Sequence, residues 1–135
     1  MPENDPAAII AHEWVQKADG DLRTATVTLT LGADCPAETV CFHAQQSAEK
    51  YLKALLVFKR IVFPRTHSIP MLMELLPKEM RPELNVIDQN RLTEYATVTR
   101  YPGDYDPISL AEARHAVKLA GQIRKVIMRH IPSVH

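Results

Sequence analysis

The chain has no net charge and lacks most of the short motifs that support catalysis. Its 16 basic and 16 acidic side chains cancel, so overall electrostatics do not favour nucleic acid or membrane, and anion binding requires a local patch. Only four glycines are present, and none belongs to a Gly-rich phosphate loop. The sequence also has no Cys-x-x-Cys, no His-Glu-x-x-His and no serine elbow, which removes the commonest redox, zinc-protease and hydrolase signatures.

Cysteines and long apolar runs are scarce as well. The two cysteines, Cys35 and Cys41, are six residues apart, and six residues turn a helix through about 600°, so their side chains point to different faces. The six histidines are scattered without a dense Asp/Glu/His cluster, so we predict no metal site and no cofactor. No apolar run approaches the ~18 residues of a membrane span, and the N-terminus does not resemble a signal peptide. We therefore expect a cytoplasmic protein without a membrane partner.

Helical periodicity is what the sequence does have. Apolar residues recur every three or four positions, and Pro, Gly or Asp marks the ends of the periodic segments. The predicted helices are 8–31, a second that opens at 34–36 and runs to about 60, a short one after 66–68, 83–99, and a last one that starts at 106–107. Short connections favour an all-α, up-and-down bundle of four long helices plus a short extra helix. A single domain is predicted over 1–135, with its core at about 8–130.

The first, fourth and last helices carry apolar stripes that we expect to face the core. On the last helix the stripe is Leu110, Ala113, Val117, Ala120, Ile123 and Ile127. On the first helix the stripe is Ile10, Trp14, Ala18, Leu22, Ala25 and Leu29. On the fourth it is Leu84, Ile87, Leu92, Tyr95 and Val98. The last helix is expected to begin with an acidic N-cap, Asp106, followed by Pro107 at the first helical position.

The segment 41–56, CFHAQQSAEKYLKALL, carries two stripes on different faces of one helix. The apolar stripe indicates a packed helix, and consists of Cys41, Ala44, Ala48, Leu52, Leu55 and Phe58. The polar stripe aligns an imidazole, an amide and two ammonium groups, and consists of His43, Gln46, Lys50 and Lys53. Such a stripe is a candidate surface for an anion or nucleotide, although by itself the pattern is more typical of a solvated helix face.

The sequence Thr66-His67-Ser68 precedes the short helix and supplies a further candidate, His67. Hydroxyl groups at a helix start accept hydrogen bonds from backbone N–H groups that have no partner within the helix. One interpretation is therefore structural, with Thr66 or Ser68 as the cap and His67 bracing the loop. The other assigns His67 to the same binding surface as the polar stripe.

The turn 100–106, RYPGDYD, is rich in groups that contact nucleic acids. Arg100 can form two parallel hydrogen bonds to a phosphate, and Tyr101 and Tyr105 can stack on bases. Equally, Arg100 can pair with a nearby aspartate while the tyrosines fill the end of the bundle. The residues alone do not separate these interpretations.

Taken together, these segments resemble the HEPN family (higher eukaryotes and prokaryotes nucleotide-binding). The resemblance spans 14–127 and rests on CFHAQQSAEKYLKALL, Thr66-His67-Ser68, Leu92-x-x-Tyr95, Arg100-Tyr101-Pro102 and Trp14-x-x-x-Ala18-x-x-Asp21-Leu22-x-x-Ala25. It implies a four-to-five-helix up-and-down bundle that forms a homodimer. It also implies a minimal nucleotidyltransferase as partner, in a toxin–antitoxin-like pair.

The resemblance further implies a chemistry that this chain matches only in part. Many HEPN members are metal-independent endoribonucleases with an Arg, four to six residues and then a His, placed before the last helix. Arg100 stands at the Arg position, but 105–107 read Tyr-Asp-Pro, and His115 lies too far along the chain. The reaction needs an acid or base that titrates near neutral pH, which histidine supplies and tyrosine, near pH ~10, does not. The ribonuclease motif is therefore degenerate.

Three functions follow as hypotheses. The first is a HEPN protein that binds a nucleotide or RNA through His43, Gln46, Lys50, Lys53, His67, Arg100 and Tyr101. The second is a metal-independent endoribonuclease that uses Arg100 with a substitute base, for which the candidates are Tyr105, His43 and His115. The third is a non-catalytic helical scaffold that only binds a partner protein.

Overall fold

A computed structural model describes residues 5–97 and 107–132, whose regular structure is entirely helical. The helices are α1 (Pro6–Leu29), α2 (Ala37–Phe58), α3 (Ile69–Leu75), α4 (Val86–Thr97) and α5 (Leu110–His130), with short 3-10 helices at Gly32–Asp34 and Lys78–Met80. The predicted all-α fold class is confirmed. Within the described ranges, no helix is both long and apolar enough to cross a membrane.

Side-chain caps define where α1 and α3 begin. The Asp5 carboxylate accepts a hydrogen bond from the backbone N–H of Ala7 (3.0 Å), and Pro6 occupies the first turn, where its missing N–H costs nothing. At α3 the Ser68 hydroxyl accepts from the backbone N–H of Met71 (3.2 Å). The capping interpretation of the sequence before the short helix is therefore confirmed for Ser68.

The two later helices begin further along the chain than the sequence predicts. α5 starts at Leu110, where the Ser109 hydroxyl caps it by accepting from the N–H of Glu112 (3.0 Å). The predicted start at Asp106-Pro107 is wrong because this serine supplies the same cap one turn later; Asp106 itself lies outside the described residues. α4 begins at Val86 rather than 83, since the Asn85 side chain accepts from the N–H of Asp88 (2.7 Å).

α2 is the central helix of the bundle and packs against each of the other four. The predicted apolar stripe is confirmed, because five of its members are fully buried and the sixth, Phe58, is partly buried. α1 lies along one side of α2 and α5 along another. Polar side chains of α2 can reach solvent only where neither helix covers it.

In each of α1 and α4, one isoleucine that was predicted to face the core is exposed. Ile10 is 47% exposed, whereas Ala11 and Val15 on the neighbouring stripe are buried. Small alanines along α1 allow it to lie close to α2, and this contact selects the alanine-rich stripe over the one with larger side chains. Ile87, in the first turn of α4, is 76% exposed, while Leu92 of the same stripe is buried. Val98, the last member of that predicted stripe, lies outside the described residues.

Candidate functional site

The polar stripe of α2 lies at the boundary with α1 instead of facing open solvent. Its members meet residues from two other parts of the chain: α1, and the loop that joins α2 to α3. His43 and Lys50 reach Asp21 of α1, and the Lys53 ammonium lies 5.7 Å from the centre of the Trp14 ring, also on α1. The stripe is therefore a set of interhelical contacts as well as a partly accessible surface.

The first group of contacts, the Asp21 cluster, consists of Asp21, His43 and Lys50. The Asp21 carboxylate contacts His43 Nδ1 through one oxygen (3.0 Å) and accepts from the Lys50 ammonium through the other. The side chains of His43 and Lys50 are 28% and 23% exposed, and that of Asp21 is 15% exposed. His43 and Lys50 thus form the rim of the cluster, and the Asp21 carboxylate forms its base.

The second group, the Glu49 cluster, is more deeply buried. Glu49 is 4% exposed, and its carboxylate contacts Gln45 Nε2 (2.9 Å), Lys53 Nζ (2.8 Å) and His67 Nδ1 (2.8 Å). Gln46 extends the network by donating to the Gln45 side-chain oxygen (2.7 Å). His67 is the exposed member, with 55% of its side chain accessible.

Hydrogen bonds hold the Glu49 carboxylate in its charged form. Burial raises its pKa, but the hydrogen bonds from Lys53, Gln45 and His67 together outweigh burial, so the pKa of Glu49 lies below its ordinary value. The carboxylate is therefore a fixed negative charge beneath the rim residue His67.

Lys53 is enclosed and does not lie on the surface as the stripe pattern suggested. It is 8% exposed, and its ammonium lies 5.7 Å and 6.0 Å from the ring centres of Trp14 and Phe63. Aromatic faces and a carboxylate stabilise a desolvated ammonium. In this arrangement Lys53 supports the Glu49 cluster from inside, and ligand contact falls to the rim residues.

The hydrogen-bonding groups that remain for a ligand are few and well defined. His43 and His67 each turn Nδ1 to a carboxylate, and no described residue bonds their Nε2 atoms. Lys50 uses only part of its three-donor capacity on Asp21. The ammonium can therefore donate to an anion, while each Nε2 accepts from a ligand N–H or O–H in the neutral ring and donates only in the protonated ring.

The remaining candidates lie elsewhere or outside the described part of the chain. His115, on α5, contacts Asp88 of α4 through Nε2 (3.1 Å), and its side chain is 53% exposed. The structure does not join it to the α2 clusters. Arg100, Tyr101 and Tyr105 all fall within residues 98–106, outside the described ranges.

The carboxylates Asp21 and Glu49 are the residues that sequence reasoning missed. Glu49 precedes Lys53 by four positions, the favoured orientation for an ion pair along a helix, so this pairing was visible in the sequence. Asp21 belongs to the family-like motif of the first helix, but no local spacing links it to its partners. It is 22 and 29 residues from them, and only packing brings them together.

A further polar contact missed in the sequence joins α1, α2 and α5. The Tyr51 hydroxyl donates to Asp19, and Arg124 Nε donates to the same carboxylate (3.0 Å). Burial, followed by the hydrogen bond to Asp19, raises the pKa of Tyr51 well above its ordinary value. Tyr51 therefore remains a neutral donor, and the contact is structural.

A metal ion requires a particular grouping of side chains, three or more His, Cys, Asp or Glu close together. Over residues 5–97 and 107–132, no group of three His, Cys, Asp or Glu side chains is placed so that it could hold a metal ion. The clusters pair each carboxylate with nitrogen donors instead, an arrangement suited to hydrogen bonding and proton transfer.

Comparison with known proteins identifies the family. The model of the HEPN domain matches residues 11–131. Among solved structures, the chain is similar to TT1696 from Thermus thermophilus, with 31% identity, a TM-score of 0.73, and 89% of this chain and 97% of that chain covered. It is also similar to ST0689, an archaeal HEPN homologue, with 27% identity, a TM-score of 0.67, and 90% and 98% covered. No curated protein matches it. The chain belongs to the HEPN domain family.

Proposed function

We propose that this HEPN protein binds a nucleotide or RNA and acts with a minimal nucleotidyltransferase partner in a toxin–antitoxin-like pair. The observation that carries the proposal is the family match across residues 11–131. The proposed ligand, a nucleotide or RNA, and the proposed nucleotidyltransferase partner are both inferred from membership of the HEPN family. The degenerate ribonuclease motif favours binding over cleavage.

The accessible rim of the two clusters supports a binding role for α2. Lys50 offers a point charge, and the Nε2 atoms of His43 and His67 offer two further hydrogen-bonding groups. Gln46, half-buried beside them, can read a polar edge of a base. Glu49 and Lys53 hold this surface in place from below.

Equilibrium titration with ATP, other nucleotides and short RNA tests the proposal. We expect saturable binding that weakens about 10-fold in Lys50→Gln, because a hydrogen bond to a charged group is worth about 1.5 kcal/mol. Lys59→Gln removes an equally positive but exposed group from the end of α2 and serves as the matched control. Absence of saturable binding, with and without the partner, would reject the proposal.

The partner is tested separately from the ligand. We expect the chain to co-purify with the nucleotidyltransferase when the two are co-expressed, and nucleotide to alter that complex. Co-purification that no nucleotide affects would favour a helical scaffold whose function is to bind its partner.

One observation favours metal-independent RNA cleavage as a second candidate. Asp21 contacts His43 Nδ1, which orients the ring and leaves Nε2 for a substrate, as in carboxylate–histidine pairs that act in acid–base catalysis. Cleavage that resists chelators and is lost in both His43→Ala and Arg100→Ala would establish this function. A preparation that never cleaves RNA would exclude it.

We also propose a homodimer. Large apolar side chains of α1 and α4 are among those that remain exposed in the single chain: Ile9 and Ile10 on α1, 49% and 47% exposed, and Val86 and Ile87 on α4, 66% and 76% exposed. Contiguous exposed apolar patches mark surfaces that associate, and these helices supply candidate residues for one. Light scattering at micromolar concentration should give twice the mass of the chain, and a monomer would contradict the proposal.

A further inference from the structure

α5 is strongly basic although the chain as a whole is neutral. Residues 110–130 contain five Lys and Arg side chains and one carboxylate, Glu112. Arg124 is paired with Asp19. The other four are exposed and make no hydrogen bond or ion pair with any described residue: Arg114, Lys118, Lys125 and Arg129. We call these four the α5 basic stripe.

The members of the α5 basic stripe lie on one side of the helix. Their separations of four, seven and four residues place them within about 60° of one another around the axis, over a length of about 22 Å. Gln122 is exposed near the same side, whereas Ala116, Ile123 and Ile127 on the opposite side are buried. The stripe is therefore a straight row of cations on a helix that is fixed to the core.

An open groove runs beside the C-terminal half of the stripe. It has a volume of about 470 Å³ and is lined by Lys125 and Arg129 from α5 and by Glu79, Arg81 and Glu83 from the segment before α4. The two carboxylates belong to the wall opposite α5. Together with Arg81 these carboxylates leave the opposite wall with a net negative charge, so an anionic ligand is expected to align along the α5 wall.

We propose that the α5 basic stripe binds the phosphodiester backbone of a single RNA strand. Lys and Arg that neutralise phosphates release counterions, which supplies most of the affinity in sequence-independent binding. Contacts from Lys and Arg to phosphates position the strand and carry no sequence information. Residues 110–130 contain no Phe, Tyr or Trp, so this face lacks the aromatic side chains on which successive bases stack, and we expect no strong sequence preference.

The choice of RNA as the anion rests on the proposed function, but the stripe itself is independent of the α2 clusters. A second copy of the chain does not fit this face, because a symmetric contact would bring two identical rows of cations together. A polyanion is the ligand whose charge is complementary to the row.

The experiment measures binding of labelled oligo-U and oligo-A, about 12 nucleotides long, to the full chain over a range of salt concentrations. If four phosphates are neutralised, log K falls with log salt at a slope of about −2.8, or about 50-fold in affinity between 50 and 200 mM salt. Both sequences should bind equally. The variant R114Q/K118Q/K125Q/R129Q should lose this binding, and R114Q/K118Q alone should halve the slope.

The matched control removes four exposed cations from other parts of the surface: K17Q/R23Q/K59Q/R65Q. It changes the net charge by the same amount and should keep most of the affinity and the slope. Thermal unfolding followed by circular dichroism verifies that every variant is folded. Equal loss of binding in the control and stripe variants would overturn the proposal, since overall charge would then explain it.

Other outcomes separate this proposal from the proposed function. If oligonucleotides bind and the stripe variant binds them normally, the stripe is not the site, while RNA binding stands. If ATP binds but oligonucleotides do not, the stripe proposal fails and nucleotide binding stands. If neither binds, both fail. Unlabelled polyglutamate is added as a competitor of the labelled oligonucleotide. If it competes as well as unlabelled RNA of equal charge, RNA is overturned as the ligand in favour of an acidic protein segment.

Discussion

At the scale of single residues, the Glu49–Lys53 pair controls the stability of the site. Both side chains are almost fully buried, and the ammonium also lies near two aromatic rings. A buried ion pair contributes little net stability compared with an apolar pair, but removal of one partner leaves a desolvated charge. The two residues are therefore strongly coupled.

The first prediction concerns that coupling. Glu49→Gln should lower the free energy of unfolding by about 3 kcal/mol, because Lys53 remains buried without its counter-charge. Urea denaturation at pH 7 measures this, and Glu83→Gln, at an exposed position, should change it by less than about 0.5 kcal/mol. The double variant E49Q/K53M should recover part of the loss; if it is as unstable as the sum of the single changes, the pair is not coupled.

The second prediction concerns pH. Because the pKa of Glu49 is lowered in the folded state, its charged form contributes stability that is present above the unfolded value, near 4.5, and is lost as pH falls through the folded value. Stability of the native chain should therefore decline below about pH 4.5 more steeply than that of Glu49→Gln. Unfolding measured between pH 3 and 7 tests this, and parallel curves for the two proteins would contradict it.

At the scale of elements, caps determine where the helices of this bundle begin. Ser109 rather than Asp106-Pro107 starts α5, and Asn85 sets the start of α4. The start of α5 matters for the proposed RNA binding because Arg114, the first cation of the basic stripe, lies only four residues beyond Leu110. Fraying of this end would remove that cation from the row.

The third prediction tests this cap. Ser109→Ala should lower the free energy of unfolding by about 1 kcal/mol, because the N–H of Glu112 loses its acceptor. Ser109→Asp keeps an oxygen acceptor and places a negative charge at the helix N-terminus, so it should be at least as stable as the native chain. Equal destabilisation by the two substitutions, measured by denaturation, would show that the hydroxyl is not the cap.

At the scale of the whole molecule, the α5 basic stripe and the exposed apolar side chains belong to different helices. The stripe lies on α5, whereas Ile9 and Ile10 are on α1 and Val86 and Ile87 are on α4. The proposed homodimer and the proposed RNA binding can therefore be tested with separate sets of substitutions.

The fourth prediction concerns the proposed homodimer. V86K/I87K should convert the homodimer to a monomer, because it places charges in the more exposed of the two apolar pairs. I9K/I10K is the matched comparison on α1, and light scattering gives the mass of each. If V86K/I87K remains a dimer and I9K/I10K becomes a monomer, the prediction is wrong and the interface lies on α1.

The sequence by itself determined the helices, the buried stripe of α2 and the family resemblance. Each of these depends on local spacing: apolar residues every three or four positions, and recurring residue types at fixed separations along the chain. The pairing of Glu49 with Lys53 is local in the same sense. Such features are independent of how the helices lie against one another.

Only the tertiary structure decided what the polar stripe of α2 contacts. The rotation of α1 places Ala11 and Val15 in the core, leaves Ile10 outside, and brings Asp21 to His43 and Lys50. No spacing within α2 encodes that partner, because the contact depends on which of two adjacent α1 stripes fits closely against α2. Packing therefore turned an ordinary amphipathic face into two charge-paired clusters with a small accessible rim.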